Sequence, residues 1–114
     1  MDTTATVLQI ILGAVFILSG GLKVAGIPMQ VENFRRYGYP QWFRSFTGLV
    51  EVVGALGMFI GLAVDEIAVA GAAILAVTMV GAFITDLLHS PRFMVIPPVV
   101  FLVMSVIVGL VRLD

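Results

Sequence analysis

The chain has no cysteine among its 114 residues, which removes structural disulfides, thiolate metal sites and any dithiol redox couple carried by its own side chains. Charge is also scarce: Asp, Glu, Lys and Arg make up 11% of the residues, against 61% apolar, and mean hydropathy is +1.16. A water-soluble domain of this length would have too little charged surface to stay dispersed, so lipid is the expected solvent. Six basic residues are scattered among seven acidic ones for a net charge of -1, leaving no basic stripe for phosphates and excluding nucleic acid as a partner. There is a single histidine and no nucleophile elbow, which argues against a hydrolase. Glycines are spread through apolar runs instead of joining a strand to a helix, which argues against a nucleotide loop. One histidine and two carboxylates on different segments match no metal-ligand spacing, so no metal site is expected.

What the chain does have is long apolar runs. A spanning helix needs roughly 20 mostly apolar residues, and four segments reach about that length: Ala5 to Ile27, Phe46 to Val64, Ile67 to Leu88 and Val95 to Leu113. Strands of a membrane barrel would be half as long and would alternate in polarity. The expected fold is an all-α membrane protein, a four-helix up-down bundle forming a single transmembrane domain over residues 1–114. Pro28, Asp65-Glu66 and Ser90-Pro91-Arg92 punctuate the junctions. Pro97-Pro98 fits the start of the last helix. The N-terminus lacks the basic stretch of a secretory signal, so the first apolar run reads as a retained helix. Gly57 and Gly61 form a GxxxG step suited to close helix packing.

The connection from Pro28 to Ser45 concentrates Phe34, Tyr37, Tyr39, Trp42 and Phe43 beside Glu32, Arg35, Arg36 and Arg44. Aromatic rings with flanking charge mark the headgroup level, so this is an interfacial loop, within which Pro28 can open and Gly38 can end a short helix. Arg35, Arg36, Arg44 and Arg92 fall on one side and Arg112 on the other, where it can snorkel to water. Positive residues favour the cytoplasm. Loops one and three are thus expected to be cytoplasmic and both termini outside.

Charged groups within spans are costly, and each requires pairing, a wet cavity or a function. Lys23 lies roughly one turn from the end of the first span and Glu51 about one and a half turns into the second, at similar depth. Asp86 and His89 close the third span on the same side, three residues apart on one helical face. If helix rotation brings them together, they line a polar pocket beneath the aromatic loop, with Ser19, Thr47 and Thr85 at its rim and Trp42 above. The plainer alternatives are a structural Lys23–Glu51 ion pair, headgroup-level placement of Asp86 and His89, and an aromatic anchor in Trp42.

The order of motifs also carries a resemblance. Phe16-Ile17-Leu18-Ser19-Gly20-Gly21-Leu22-Lys23 in the first span, Tyr39-Pro40-Gln41-Trp42-Phe43 in the aromatic loop, Gly48-Leu49-Val50-Glu51 and Met79-Val80-Gly81-Ala82 together resemble the DoxX-like family over most of the chain. The resemblance implies a compact four-helix membrane protein with Lys23, Glu51 and His89 at positions where such proteins carry intramembrane polar groups. It also implies an association with redox complexes, the family being named for subunits linked to a quinone-dependent thiosulfate oxidoreductase. The expected function is therefore to bind a quinone or another lipophilic small molecule, as a subunit of a redox complex. In that role Lys23 donates to a carbonyl, Glu51 holds Lys23 or exchanges protons, and Asp86 with His89 relays protons. Two alternatives stand beside it. One is a structural or assembly protein acting through helix contacts with a partner or with a second copy in a homo-oligomer. The other is a membrane enzyme using Glu51 or His89 as an acid-base group on a lipophilic substrate.

Overall fold

The computed structural model describes residues 2–114. Its elements are α1 (Thr3–Ala25), α2 (Pro28–Tyr37), α3 (Gln41–Ile60), α4 (Asp65–His89), a 3-10 turn (Arg92–Val95) and α5 (Ile96–Leu113). Helices α1, α3 and α4, and α5 together with its preceding turn, are long and apolar enough to cross a membrane. The longest dimension of the molecule is 43 Å, close to the 40–45 Å of a bilayer with its headgroups.

The helix boundaries follow from local chemistry. Asp2 caps α1, its Oδ1 accepting from the Ala5 N–H at 3.0 Å, an arrangement contributing about 1 kcal/mol. Gly26 ends α1 in the left-handed region at φ 71°, and Gly38 ends α2 in the same way at φ 81°. Pro28 supplies the first residue of α2, where a missing N–H has no consequence. Asp65 and Glu66 lie in the first turn of α4, where acidic side chains complement the helix dipole. Pro97 and Pro98 sit in the first turn of α5.

In the stretch from Pro28 to Ser45 the expected short helix between Pro28 and Gly38 is present, and the difference lies in where the next helix starts. The stretch is α2, a short turn at Gly38 to Pro40, and the first turn of α3, which begins at Gln41 instead of Phe46. Polar Gln41 and Arg44 hide this turn from a hydropathy reading, although Pro40 has the extended conformation of a helix-preceding residue.

The four long helices pack as a ring, α1 on α3, α3 on α4, α4 on α5, with α5 closing back on α1. Leu12, Phe16, Ala55, Met58, Ala72, Leu75, Met79 and Val108 form the core, with Phe16 and Phe101 edge to face at 5.4 Å. Leu18, Val77, Leu88 and Leu110 project outward, the disposition expected when lipid surrounds the bundle. The GxxxG step is used inside the chain: a Cβ on Gly57 would stand 3.0 Å from Gly71 Cα, and one on Gly61 2.6 Å from Ala68 Cα. These glycines let α3 and α4 touch within the chain.

Candidate functional site

Ser19 and Lys23 lie one turn apart on α1 and face Glu51 on α3. The Lys23 ammonium donates to Ser19 Oγ at 2.8 Å and to Glu51 Oε1 at 3.2 Å, and stands 3.2 Å from Oε2. The Ser19 hydroxyl in turn donates to Oε1 at 2.8 Å. Ser19 thus bridges the two charges, accepting from one and donating to the other. The Glu51 side chain is 4% exposed and that of Lys23 15%, so the carboxylate is enclosed and the lysine side chain is the more open of the two.

Neighbouring backbone fixes this geometry. A Cβ on Gly20 would stand 2.5 Å from Gly48 O, and one on Gly48 would stand 2.7 Å from both Gly20 O and Lys23 Cβ. The missing side chains let α1 and α3 approach closely enough for a short hydroxyl to join the ion pair. Arg44 donates from Nη1 to the Lys23 carbonyl and from Nε to Gln41 Oε1 at 2.9 Å, placing a cation at the carbonyl end of α1.

Asp86 and His89 belong to a separate cluster where α2 covers the end of α4. His89 lies between Tyr37 and Tyr39, with ring centroids at 5.9 and 6.1 Å. The Arg36 guanidinium lies over Tyr37 at 5.1 Å and donates to the last carbonyl of α4, His89 O, at 2.9 Å. Asp86 Oδ1 accepts from Ser90 Oγ at 3.2 Å, and Tyr39 and Thr85 share a hydrogen bond of 3.0 Å. Burial, reinforced by the Asp86 carboxylate, raises the Tyr37 phenol above its ordinary range. Among the described residues no hydrogen bond or ion pair joins this cluster to Lys23 and Glu51. Trp42 is 68% exposed, edge to face with Phe43 on the outer surface. Of the three hydroxyls expected at a common rim, only Ser19 joins the ion pair, because Thr47 donates back to Phe43 O in its own helix and Thr85 pairs with Tyr39.

The opposite end holds what the sequence reading missed. Arg112 does not snorkel: its Nε donates to Gln9 Oε1 at 2.6 Å, its Nη2 to Thr6 Oγ1 at 3.1 Å, and Nη1 lies 3.9 Å from Asp65 Oδ1. Gln9 is fully buried and its amide donates to Met58 O at 2.9 Å, capping a carbonyl in the last turn of α3. One network therefore ties all four spans together. A glutamine inside an apolar run was its only signal.

The DoxX-like family profile matches residues 7–108 of this chain. The chain belongs to the DoxX-like family. It is an integral membrane protein. This DoxX-like chain is 36% identical over 98 residues to the uncharacterized protein YdgD of Bacillus subtilis (strain 168), covering 83% of this chain and 86% of that one. It is 30% identical over 84 residues to the putative oxidoreductase CatD of the same organism, covering 74% of this chain but only 60% of that relative. No solved structure matches it.

Proposed function

We propose that this protein binds a quinone or another carbonyl-bearing lipophilic molecule at Lys23, as a membrane subunit of a redox complex. The observation that carries the reading is an ion pair between two apolar spans in which the lysine side chain keeps 15% exposure beside an enclosed carboxylate. Ser19 Oγ and both Glu51 oxygens stand within 3.2 Å of the ammonium, so a ligand carbonyl binds by taking the place of one carboxylate contact. Half-exposed Val24 and Leu49 offer apolar surface nearby. A quinone supplies two-electron, two-proton carrier chemistry when bound. The chain itself orients the donor and keeps its charge balanced in a medium where an unpaired ion is costly. The name of CatD as a putative oxidoreductase is in keeping with a redox setting. By charge, the α2 face is assigned to the cytoplasm and both termini to the outside.

A second reading has its own support. Ser19 and Lys23 together engage the Glu51 carboxylate, so the group also serves as a lock between α1 and α3 in a purely structural or assembly protein. Mass spectrometry of lipophilic molecules retained after mild-detergent purification separates the two. A stoichiometric quinone or isoprenoid present in wild type and lost from a folded Lys23→Met, Glu51→Gln double variant supports binding. Retention of bulk lipid alone by both proteins supports the lock.

A further inference from the structure

The Arg112 network lies beneath a concavity that plays no part in the reading above. An open bowl of about 830 Å³, lined by Asp2, Asp65, Leu110, Arg112 and Leu113 among others, adjoins a smaller one of about 310 Å³ that Glu66 and Val69 also line. Arg112 lines both, although its side chain is only 10% exposed. Its Nε and Nη2 are anchored by Gln9 and Thr6, and Gln9 is itself pinned to Met58 O. Among the described residues Nη1 makes no hydrogen bond, its ion-pair partner Asp65 Oδ1 standing at 3.9 Å. The guanidinium is thus preorganised, buried, and retains donors at the floor of an open cavity.

The charges around it select the ligand. Asp2, Asp65, Glu66 and Asp114 surround one guanidinium, so a simple anion meets four carboxylates while a group that also carries an ammonium can answer them. A group carrying both charges satisfies both. We propose that this bowl binds the headgroup of a phospholipid carrying a primary ammonium, as in phosphatidylethanolamine, with its phosphate on Arg112 and its ammonium on Asp65 and Glu66. Guanidinium Nη1 matches phosphate oxygens, and a primary ammonium donates hydrogen bonds to carboxylates where a trimethylated one cannot. The bowl lies at the end of the spans, where headgroups lie, and the exposed side chains of Leu110 and Leu113 give its wall apolar surface.

The test is lipid retention by the full chain in an equimolar mixture of phosphatidylethanolamine, phosphatidylcholine and phosphatidylglycerol, quantified by mass spectrometry after partial delipidation. Wild type should retain phosphatidylethanolamine over each of the others by at least about tenfold. An Asp65→Asn, Glu66→Gln variant should lose that preference and gain phosphatidylglycerol, and Glu66→Gln alone, which leaves the Arg112 network intact, should weaken the preference in the same direction. Free phosphoethanolamine should compete weakly, because it lacks the acyl chains. Equal retention of the three lipids, a preference unchanged in the variant, or binding of phosphoethanolamine without phospholipid enrichment would each overturn the proposal. None of these outcomes bears on Lys23, at the other face of the membrane.

Discussion

Gly20 and Gly48 meet backbone to backbone where α1 crosses α3: a Cβ on either would press within 2.5 to 2.7 Å of the other's carbonyl oxygen. The turn beyond Gly20 carries Lys23, and the turn beyond Gly48 carries Glu51. Close backbone approach and ion pairing are therefore one arrangement.

Gly48→Ala is expected to force the helices apart and to cost about 1–3 kcal/mol, the range for an overpacked contact. Gly21, whose Cβ would meet nothing, is the control. Gly21→Ala should be neutral or stabilising by up to about 1 kcal/mol, because alanine favours helix. Thermal unfolding in one detergent compares the two, and equal loss of stability in both variants would contradict the role given to the crossing.

Removing one member of the Lys23–Glu51 pair leaves the other charge stranded in the bundle. Lys23→Met and Glu51→Gln should each destabilise by about 3–5 kcal/mol, and the double variant by clearly less than their sum. A double-mutant cycle on unfolding free energies measures the coupling, and strict additivity would show that the pair does not act as a unit.

Gln9→Leu withdraws the cap from Met58 O and the acceptor from Arg112 Nε, with an expected cost of about 1–3 kcal/mol for each buried group left unpaired. Hydrogen exchange should quicken in the last turn of α3 first. Unchanged exchange there would contradict the capping role.

Gly61→Leu drives a side chain into the α4 backbone at Ala68, so the expected result is loss of the folded monomer itself. Cross-linking of folded protein carrying this substitution, with only an oligomer lost, would contradict the internal use of the glycine step.

Tyr37 is raised above the ordinary phenol value of 10.0 first by burial and then by Asp86. Folding favours its protonated form, so the associated stability is fully present below the unfolded phenol value and is lost as pH rises through the higher folded one. The difference between ultraviolet titrations of wild type and Tyr37→Phe should show a midpoint above the ordinary value. Asp86→Asn should lower that midpoint, and a wild-type midpoint at or below the ordinary value would overturn the assignment.

The spans were legible because bilayer thickness fixes their length, and α2 because Pro28 and Gly38 mark its ends. Lys23 and Glu51 could be set at equal depth by counting turns, but only helix rotation, governed by Gly20 and Gly48, decides that they face each other. The division of Asp86 and His89 from that pair was hidden for the same reason, since depth says nothing about azimuth. Gln9, Arg36 and Arg44 were missed as caps because each donates to a main-chain carbonyl, a partner with no residue type to betray it. Such partners can be sought by asking what satisfies the last carbonyls of every helix.

The Lys23–Glu51 contact also bears on how the chain enters a membrane during synthesis. A lone ionised side chain raises the insertion cost of its span, by about 2.5–3.5 kcal/mol when it lies at the bilayer centre. These two charges are carried by successive spans, and they meet across only 28 positions of chain. Pairing the two charges before release would remove that cost from both spans, so joint release of the first two spans to lipid is the expected outcome.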